Sequence, residues 1–355
     1  MSHYERAIRL ERRRAMSVSL DSIDVGGMNV VLLRADKLPA GIKTSIGRCL
    51  LARYLDTGQV TARTKAVVVH GSGNTARAVR LAADELAPEA KVVAVVFAET
   101  SKSTIAKLRK FGVEVVAESS RRSGRAGRQS VTERLCQRPG YVFLDQHEEP
   151  LIIDIQRRTF GQAIAARLKN PLTHFVAGMG TGGTVFGIGS ALCAKSKTRV
   201  VAVEGVGSTL TLWHAYLGAK GKGYAKEKGS IEEALLLYKN AGMLTSLKCY
   251  PRRKDPGRWF EIDVDFPKGK KGVLGIEGLG VGNPTNLISD HLRQINQVRI
   301  VTDEQAREGV ECLASHGIYA VESAGANFFA ALRLGEGLQR RGQKGRILTV
   351  VTAGG

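Results

Sequence analysis

The sequence predicts an α/β protein of two doubly wound domains, each a parallel-type sheet covered by helices on both faces. Three observations carry this. Short continuous apolar runs alternate with amphipathic stretches, glycine-rich turns join a run to a helix at 71–74 and 178–183, and 355 residues suffice to bury two cores. With 43% hydrophobic and 24% charged residues, the chain has an ordinary globular composition. No apolar run approaches the roughly 18 residues that cross a bilayer, so no membrane association is expected. The opening MSHYERAIRLERRRAMSVSL is too charged, and too rich in acids, for a secretory signal or transit peptide. The five cysteines, at 49, 136, 193, 249 and 312, lie far apart with no C-x-x-C. That pattern fits reduced thiols in a cytoplasmic protein, with no disulfide framework or zinc site.

In chain order, MNVVLLRAD (28–36) reads as a strand and SIGRCLLARYLDTG (45–58) as a helix stopped by glycine. TKAVVVHG (64–71) is a buried strand with a helix from about Thr75 to Leu86 directly behind it. KVVAVVFAE (91–99), a helix over SKSTIAKLRKFG (101–112) and the strand VEVVAE (113–118) continue the alternation. YVFLDQ (141–146), THFVAG (173–178) and TRVVAVEG (198–205) are further strands, with a helix through QRRTFGQAIAARLKN (156–170) between the first two. QVRIVTDEQAREGVECLASHG (297–317) and NFFAALRLGEGLQRRG (327–342) supply the last helices before the strand RILTVV (346–351). One stretch breaks the rhythm, an insert at about 207–272 containing a helical SIEEALLLYKNAG (230–242). A stretch of that length serves as a lid, a partner contact or a small subdomain. The expected division is a smaller domain at 45–160 and a larger one formed by 1–44 and 161–355.

The formal net charge is +20, which raises the question of a nucleic-acid partner. The basic residues are dispersed, with local knots at Arg12–Arg14, RRSGRAGR (121–128) and KGKK (268–271), and aromatic residues reach only 6%. They do not interleave with the cations as a base-stacking surface requires. A solvated basic surface that draws in an anionic substrate is the preferred reading, and nucleic-acid binding is not expected.

Three stretches carry chemistry. In HFVAGMGTGGTVFGIGSAL (174–192), Gly178, Gly180 and Gly183 fit G-x-G-x-x-G, and Glu204 follows about twenty residues on. Glycines at a strand-to-helix turn hold a phosphate, and this spacing admits a nicotinamide dinucleotide with Glu204 on its ribose. The second stretch, HGSGNTARA (70–78), offers backbone N–H groups and the side chains of Ser72, Asn74 and Thr75 at a helix start, suited either to a carboxylate or to plain capping. In the third, LPAGIKTSIGRCLL (38–51), Lys43 opens a helix, where the positive end of the helix dipole disfavours a cation and lowers its pKa. Such an amine suits a nucleophile or a base. His70 and His174 read as structural strand-end residues.

Taken in this order, the stretches resemble the tryptophan-synthase-β-like, fold type II pyridoxal-phosphate enzymes, and within them the cysteine synthase and cystathionine β-synthase branch. LPAGIKTSIG is similar to that branch's N-P-x-G-S-V-K-D-R segment, GSGNT to its T/S-S-G-N-T loop and GMGTGGT to its phosphate cup. YVFLDQ with RRTFGQAI, GIEGLGVG (275–282) and ESAGANFFAAL (322–332) resemble three further segments, from about residue 28 to the end. The resemblance implies pyridoxal 5'-phosphate in a cleft between two domains, with Lys43 as the Schiff-base lysine. It implies a cup of Gly180, Thr181, Gly182, Gly183 and Thr184, Asn74 on the cofactor's phenolic oxygen, and Thr352 on the pyridine nitrogen, a place that Gly354 matches equally well. It gives the substrate carboxylate to Gly71, Ser72, Gly73, Thr75 and Gln146, and puts Gly278 at the mouth of the site.

The activity implied is β-replacement on serine or an O-activated serine, by way of an α-aminoacrylate, in a homodimer acting on a small amino acid. Thr44-Ser45 stands where Asp-Arg is usual, and the N-terminal T-P-L motif is missing. Glu322 is similar to the E-P-x-G-A start of the serine and threonine dehydratases, so β-elimination is the alternative. A nicotinamide-linked oxidoreductase and a catalytically retired binding protein are the remaining readings.

Overall fold

The computed structural model describes residues 1–71, 73–98, 100–119, 124–205, 208, 210, 246–251, 260–265, 276, 279 and 285–352, with backbone alone at 119, 124–127, 246–251 and 260–265. Two large sheets organise the chain. The smaller holds β3 (Ala66–His70), β4 (Lys91–Phe97), β5 (Val113–Ser119) and β6 (Tyr141–Phe143) in the order β5-β4-β3-β6, all parallel. The larger holds β1 (Leu20–Val25), β2 (Met28–Arg34), β7 (His174–Gly178), β8 (Arg199–Gly205), β11 (Gln297–Val301) and β12 (Ile347–Val351) in the order β1-β2-β12-β7-β8-β11. Its one antiparallel pair is β1 with β2. β9 (Ser246–Pro251) and β10 (Phe260–Asp265) pair separately as a hairpin.

The strands read as expected from their composition. β3 is Ala-Val-Val-Val-His, buried throughout, and β12 is Ile-Leu-Thr-Val-Val, also buried throughout. Unbroken β-branched runs of this kind belong to parallel strands covered on both faces. The cover is supplied by α1 (His3–Ser17), α2 (Lys43–Asp56), α3 (Asn74–Leu86), α4 (Lys102–Lys110), α5 (Gly124–Cys136), α8 (Gly183–Lys195), α10 (Asp303–Ser315) and α11 (Glu322–Arg340). Between the sheets run α6 (Leu151–Gln156), a π-helical turn (Arg157–Gly161) and α7 (Gln162–Arg167), and the short α9 (Asn286–His291) precedes β11.

Several elements differ from the sequence reading. The helix expected at 45–58 begins at Lys43, and the strand expected over 141–146 ends at Phe143. The five residues Gln297–Val301, taken with the last helices, form β11 beside β8. The N-terminal stretch forms α1, whose Tyr4, Ala7, Ile8, Glu11 and Ala15 are buried at helical spacing between arginines. The helix 156–170 runs from 151 to 167 with the π turn inside it. The helix expected at 230–242 lies outside the described residues.

Two features fix α2. At Gly47 a Cβ would come within 2.5 Å of the Ala78 backbone, so α2 and α3 cross backbone against backbone. On its other side, Arg48 Nε lies 2.8 Å from the buried Glu11 carboxylate of α1, while its Nη1 donates to Glu85 of α3 at 2.7 Å. Arg14 adds a 2.6 Å ion pair to Glu11. Burial still raises the Glu11 pKa against the pull of both arginines.

Gly47→Ala is expected to destabilise the fold by about 1–3 kcal/mol through overpacking, measured as a shift in the denaturant midpoint. Arg48→Met leaves the buried Glu11 carboxylate with Arg14 as its remaining cation and is expected to cost about 1.5–3 kcal/mol. Because the folded-state pKa of Glu11 is raised, that loss should grow as pH rises through it, and adding Glu11→Gln should recover part of it. Denaturation curves of the single and double variants at acid and neutral pH check this.

Candidate active site

Ligands of open α/β sheets bind at the carboxyl ends of strands, where the strand order reverses. In the smaller sheet that point is β3, with β4 on one side and β6 on the other. The turn leaving β3 is 71–74, and the one leaving β6 contains Gln146. Across this crevice Thr75 Oγ1 donates to Gln146 Oε1 at 2.8 Å, and Gln146 Nε2 donates to the His70 carbonyl at 3.2 Å. Gly71 and Gly73 have φ of +120° and +94°, and no side chain caps the α3 N-terminus. The structure thus brings Gly71, Gly73, Asn74, Thr75 and Gln146 together at one helix N-terminus. Ser72 lies outside the described residues.

In the larger sheet the reversal lies between β7 and β12. The turn leaving β7 is the glycine loop of Gly180, Thr181, Gly182 and Gly183, and the residue leaving β12 is Thr352. Met179 N donates to the Val203 carbonyl at 2.8 Å, which pins the loop to β8. Gly182 is left-handed at φ +92°, and a Cβ there would meet Phe186 Cε2 at 2.8 Å. No side chain caps α8, which starts at Gly183 and Thr184. Thr352 Oγ1 lies 2.9 Å from Ser323 Oγ at the head of α11. Gly354 and Gly278 lie outside the described residues; Leu279, next to Gly278 in the chain, is buried against Gly178, where its Cδ2 would lie 2.1 Å from a Cβ.

Lys43 joins the two halves. It follows β2 of the larger sheet and opens α2, which packs with the smaller one, and its Nζ donates to Thr181 Oγ1 at 3.2 Å. Its pKa is lowered to about 8 by desolvation, the direction expected from its place at the start of α2. The turn before it is held tightly. Gly41 is left-handed at φ +56°, Thr44 Oγ1 donates to the Gly41 carbonyl at 2.9 Å, and Ser45 Oγ to that of Ile42 at 3.3 Å. Thr44 and Ser45, the departures from the usual Asp-Arg, therefore fasten the first turn of α2. A residue that no motif marked, Gln156, is fully buried beside the π turn and donates through Nε2 to the Ile42 carbonyl at 2.8 Å and to Ser45 Oγ at 3.3 Å. Its location in a helix interior, just before a π turn, is the one sequence-independent signal that could have found it.

Glu204, the residue that a dinucleotide's ribose would need, is committed elsewhere, and the two strand-end histidines are structural. Glu204 is fully buried, and its Oε2 accepts the Leu210 N–H at 3.0 Å, which ties the carboxylate to backbone. His70 is buried with Nε2 2.6 Å from Thr132 Oγ1, and His174 is kept neutral, its pKa lowered to about 4 by burial and by Arg199, Arg341 and Arg299. Among the described residues no group of three His, Cys, Asp or Glu is arranged to hold a metal, and no helix is long and apolar enough to cross a membrane. The described cysteines, 49, 136, 193 and 312, are free thiols.

Comparison with known proteins decides the family. The model of the pyridoxal-phosphate dependent enzymes matches residues 28–220, more than half the chain. The chain belongs to that family. The cofactor of that family is pyridoxal phosphate. It is 31% identical over 178 residues to N-(2-amino-2-carboxyethyl)-L-glutamate synthase of Ralstonia nicotianae, covering 48% of this chain and 52% of that one. It is 24% identical over 298 residues to cysteine synthase B of Campylobacter jejuni, covering 84% and 78%. The chain spans about half the length of the curated relatives it matches first. The fold is that of an O-acetylserine-dependent cystathionine β-synthase from Helicobacter pylori, at TM-score 0.71 and 21% identity over 97% of this chain and 94% of that one.

The residues present fit the cofactor. The family's phosphate needs N–H donors at a side-chain-free turn, and the loop before α8 supplies them in a space that a Cβ at Gly182 would fill. Its aldehyde needs an amine that is neutral near physiological pH, and Lys43 lies beside that loop with its pKa at about 8.

Uptake of pyridoxal phosphate by the apoprotein is expected to speed up as pH rises through about 8, where the Lys43 amine loses its proton, instead of near the ordinary lysine value. Absorbance in the visible range, followed from pH 6.5 to 9.5, reads this. Lys43→Ala should abolish the visible band, whereas Gly182→Ala should weaken retention of the cofactor on dialysis.

Proposed function

We propose that the protein catalyses β-replacement on an O-activated serine, the chemistry of the cysteine synthase type. The observation that carries the proposal is the desolvated Lys43 amine, hydrogen-bonded to the glycine loop at 3.2 Å between two strand-reversal points. The names of the curated relatives, cysteine synthase B and N-(2-amino-2-carboxyethyl)-L-glutamate synthase, support the same class.

In this reading the glycine loop and the start of α8 hold the cofactor phosphate, Lys43 holds its aldehyde carbon, and Asn74 and Thr352 meet the ring. When bound, pyridoxal phosphate supplies an electron sink for the charge left at Cα. The chain does the rest. Backbone N–H groups of 71–75 and Gln146 bind the substrate carboxylate, which turns the Cα–H towards Lys43. Lys43 Nζ, released when the substrate's own amine takes its place on the aldehyde carbon, would take that proton, and burial favours its neutral form. An acylated or phosphorylated serine oxygen then leaves far more readily than hydroxide, and a nucleophile takes its place. A neutral hydroxyl such as Thr352 leaves the ring nitrogen unprotonated, which favours loss of the β-substituent over transamination. Glu322, the residue that suggested elimination, is exposed at the head of α11, and Ser323 meets Thr352 instead. We extend the reading to a homodimer in the cytoplasm, on the family resemblance and on the free thiols.

Purified protein loaded with pyridoxal phosphate is expected to convert O-acetylserine and sulfide to cysteine. Lys43→Ala should lower turnover at least about a hundredfold. Release of keto acid without any acceptor would assign elimination instead, and inertness towards serine, O-acetylserine and O-phosphoserine would overturn the proposal.

A further inference from the structure

The arginine knot at Arg12–Arg14 belongs to a larger pattern on α1 that the reaction does not use. The helix is fastened to the body along one side. Asp56 accepts the His3 and Tyr4 N–H groups at 2.9 and 2.8 Å, the Tyr4 hydroxyl donates to Asp154 at 3.1 Å, and Arg167 donates to the Val18 carbonyl at the C-cap at 2.6 Å. Both acids of the helix are engaged by neighbouring arginines, Glu5 by Arg158 at 2.7 Å and Glu11 by Arg14 and Arg48. The charges left on the outer side are cations. Arg6, Arg9, Arg12 and Arg13 are all exposed, and among the described residues none of the four makes an ion pair.

Such a face is unfavourable by itself. Arg9 stands three residues from Arg6 and from Arg12 and four from Arg13, the separations at which like charges on a helix meet and oppose it. Ordinary solvated faces intersperse the two signs. The cations are also all arginine, whose planar, weakly hydrated fork suits carboxylates at interfaces better than an ammonium does. Apolar side chains share the face. Leu10 and Met16, 37% and 43% exposed, are two of the four large apolar side chains that stand exposed among the described residues, the others being Met1 and Tyr319. Arg6, Arg9, Leu10, Arg13 and Met16 recur at i, i+3, i+4, i+7 and i+10, opposite the buried stripe of Tyr4, Ala7, Ile8, Glu11 and Ala15. That is the spacing of a helix-packing seam, about 15 Å long at the helical rise.

The composition of the stripe chooses among anionic partners. Duplex nucleic acid takes cations and polar groups on its phosphates, which leaves Leu10 and Met16 in water. A lipid surface takes a helix by a broad apolar face, and α1 turns its own into the protein. A second copy of the chain carries the same net charge of +20 and is repelled. Carboxylates flanking an apolar ridge satisfy every member of the stripe. We propose that the outer face of α1 docks a partner protein through an acidic amphipathic helix, whose carboxylates meet Arg6, Arg9 and Arg13 and whose apolar ridge meets Leu10 and Met16. Arg12 stands at the edge of that contact. The proposal is independent of the reaction at Lys43.

The test titrates the protein, loaded with pyridoxal phosphate, into fluorescent probes. One is a synthetic helical peptide with glutamates on both sides of a leucine ridge, one a peptide of the same composition with the ridge scrambled, and one a DNA duplex. Vesicles of phosphatidylserine in phosphatidylcholine are assayed by sedimentation. The ridge peptide is expected to bind most tightly, and Arg9→Gln combined with Arg13→Gln to weaken it at least about tenfold, as the loss of interface anchors does. Leu10→Gln should weaken the ridge peptide and leave the scrambled one unchanged. Lys102→Gln combined with Lys110→Gln removes the same charge from exposed places on α4 and should leave the ridge peptide within about twofold. All these side chains are exposed, so each variant should keep the wild-type unfolding midpoint and the visible absorbance of the bound cofactor, which makes any loss of binding local. Failure of the ridge peptide to bind, equal losses from the α1 and α4 pairs, or indifference to Leu10→Gln would overturn the proposal. Tighter binding of DNA or vesicles that depends on Arg9 and Arg13 would overturn it in favour of nucleic acid or lipid.

Discussion

The molecule depends on one amine kept partly out of water at the crossing between two sheets. Lys43 lies where the chain leaves β2 of the larger sheet and begins the helix that packs on the smaller one. An ammonium there is costly, and the protein does not offset the cost with a carboxylate: the resolved influence on its pKa is desolvation. The surroundings are instead organised to hold the peptide still. Thr44, Ser45 and Gln156 hydrogen-bond the Gly41–Ile42 turn, Gly47 lets α3 press directly on α2, and Arg48 locks α2 to α1 and α3. The strongest ionic interactions thus stand about a helical turn away from the reactive group, where they position it without altering its charge.

The second organising constraint is topological. Each sheet has one place where successive strands depart in opposite directions, and each such place is paired with functional turns. One gives the loop after β3 with Gln146, the other the loop after β7 with Thr352. Lys43 stands between the two, its Nζ on Thr181 of the second turn, while Thr75 and Gln146 close the first.

Much of this was legible in the sequence, because the parts that carry it are written in local patterns. Unbroken valine runs gave the parallel strands, and glycines followed by a helix gave both turns. What escaped had weaker or misleading local signals. Gln297–Val301 alternates polar with apolar residues ahead of a strongly capped helix, and was absorbed into it although it pairs with β8. α1 buries five residues, but its five arginines, Arg6, Arg9 and Arg12–Arg14, obscure the stripe. The lowered pKa of Lys43 was legible in direction, but the burial that lowers it is a property of the assembled chain and not of one helix. Gln156 belongs to no motif, and Ser323, inside ESAGANFFAAL, carried no role there; both contacts became visible only when elements distant in sequence were brought to hydrogen-bonding distance.

The long interruption leaves the larger sheet at Gly205, the carboxyl end of β8, and the chain is back in place at Leu279, whose side chain presses on Gly178 at the end of β7. Both anchor points stand on the rim that carries the glycine loop, and no strand or helix of the two sheets is cut. Evolution can therefore lengthen, shorten or exchange this stretch as a cassette without touching the scaffold. Any such change bears first on the end of β7 and the glycine loop behind it, so exchange at this address would reshape the surroundings of that turn while leaving the architecture intact.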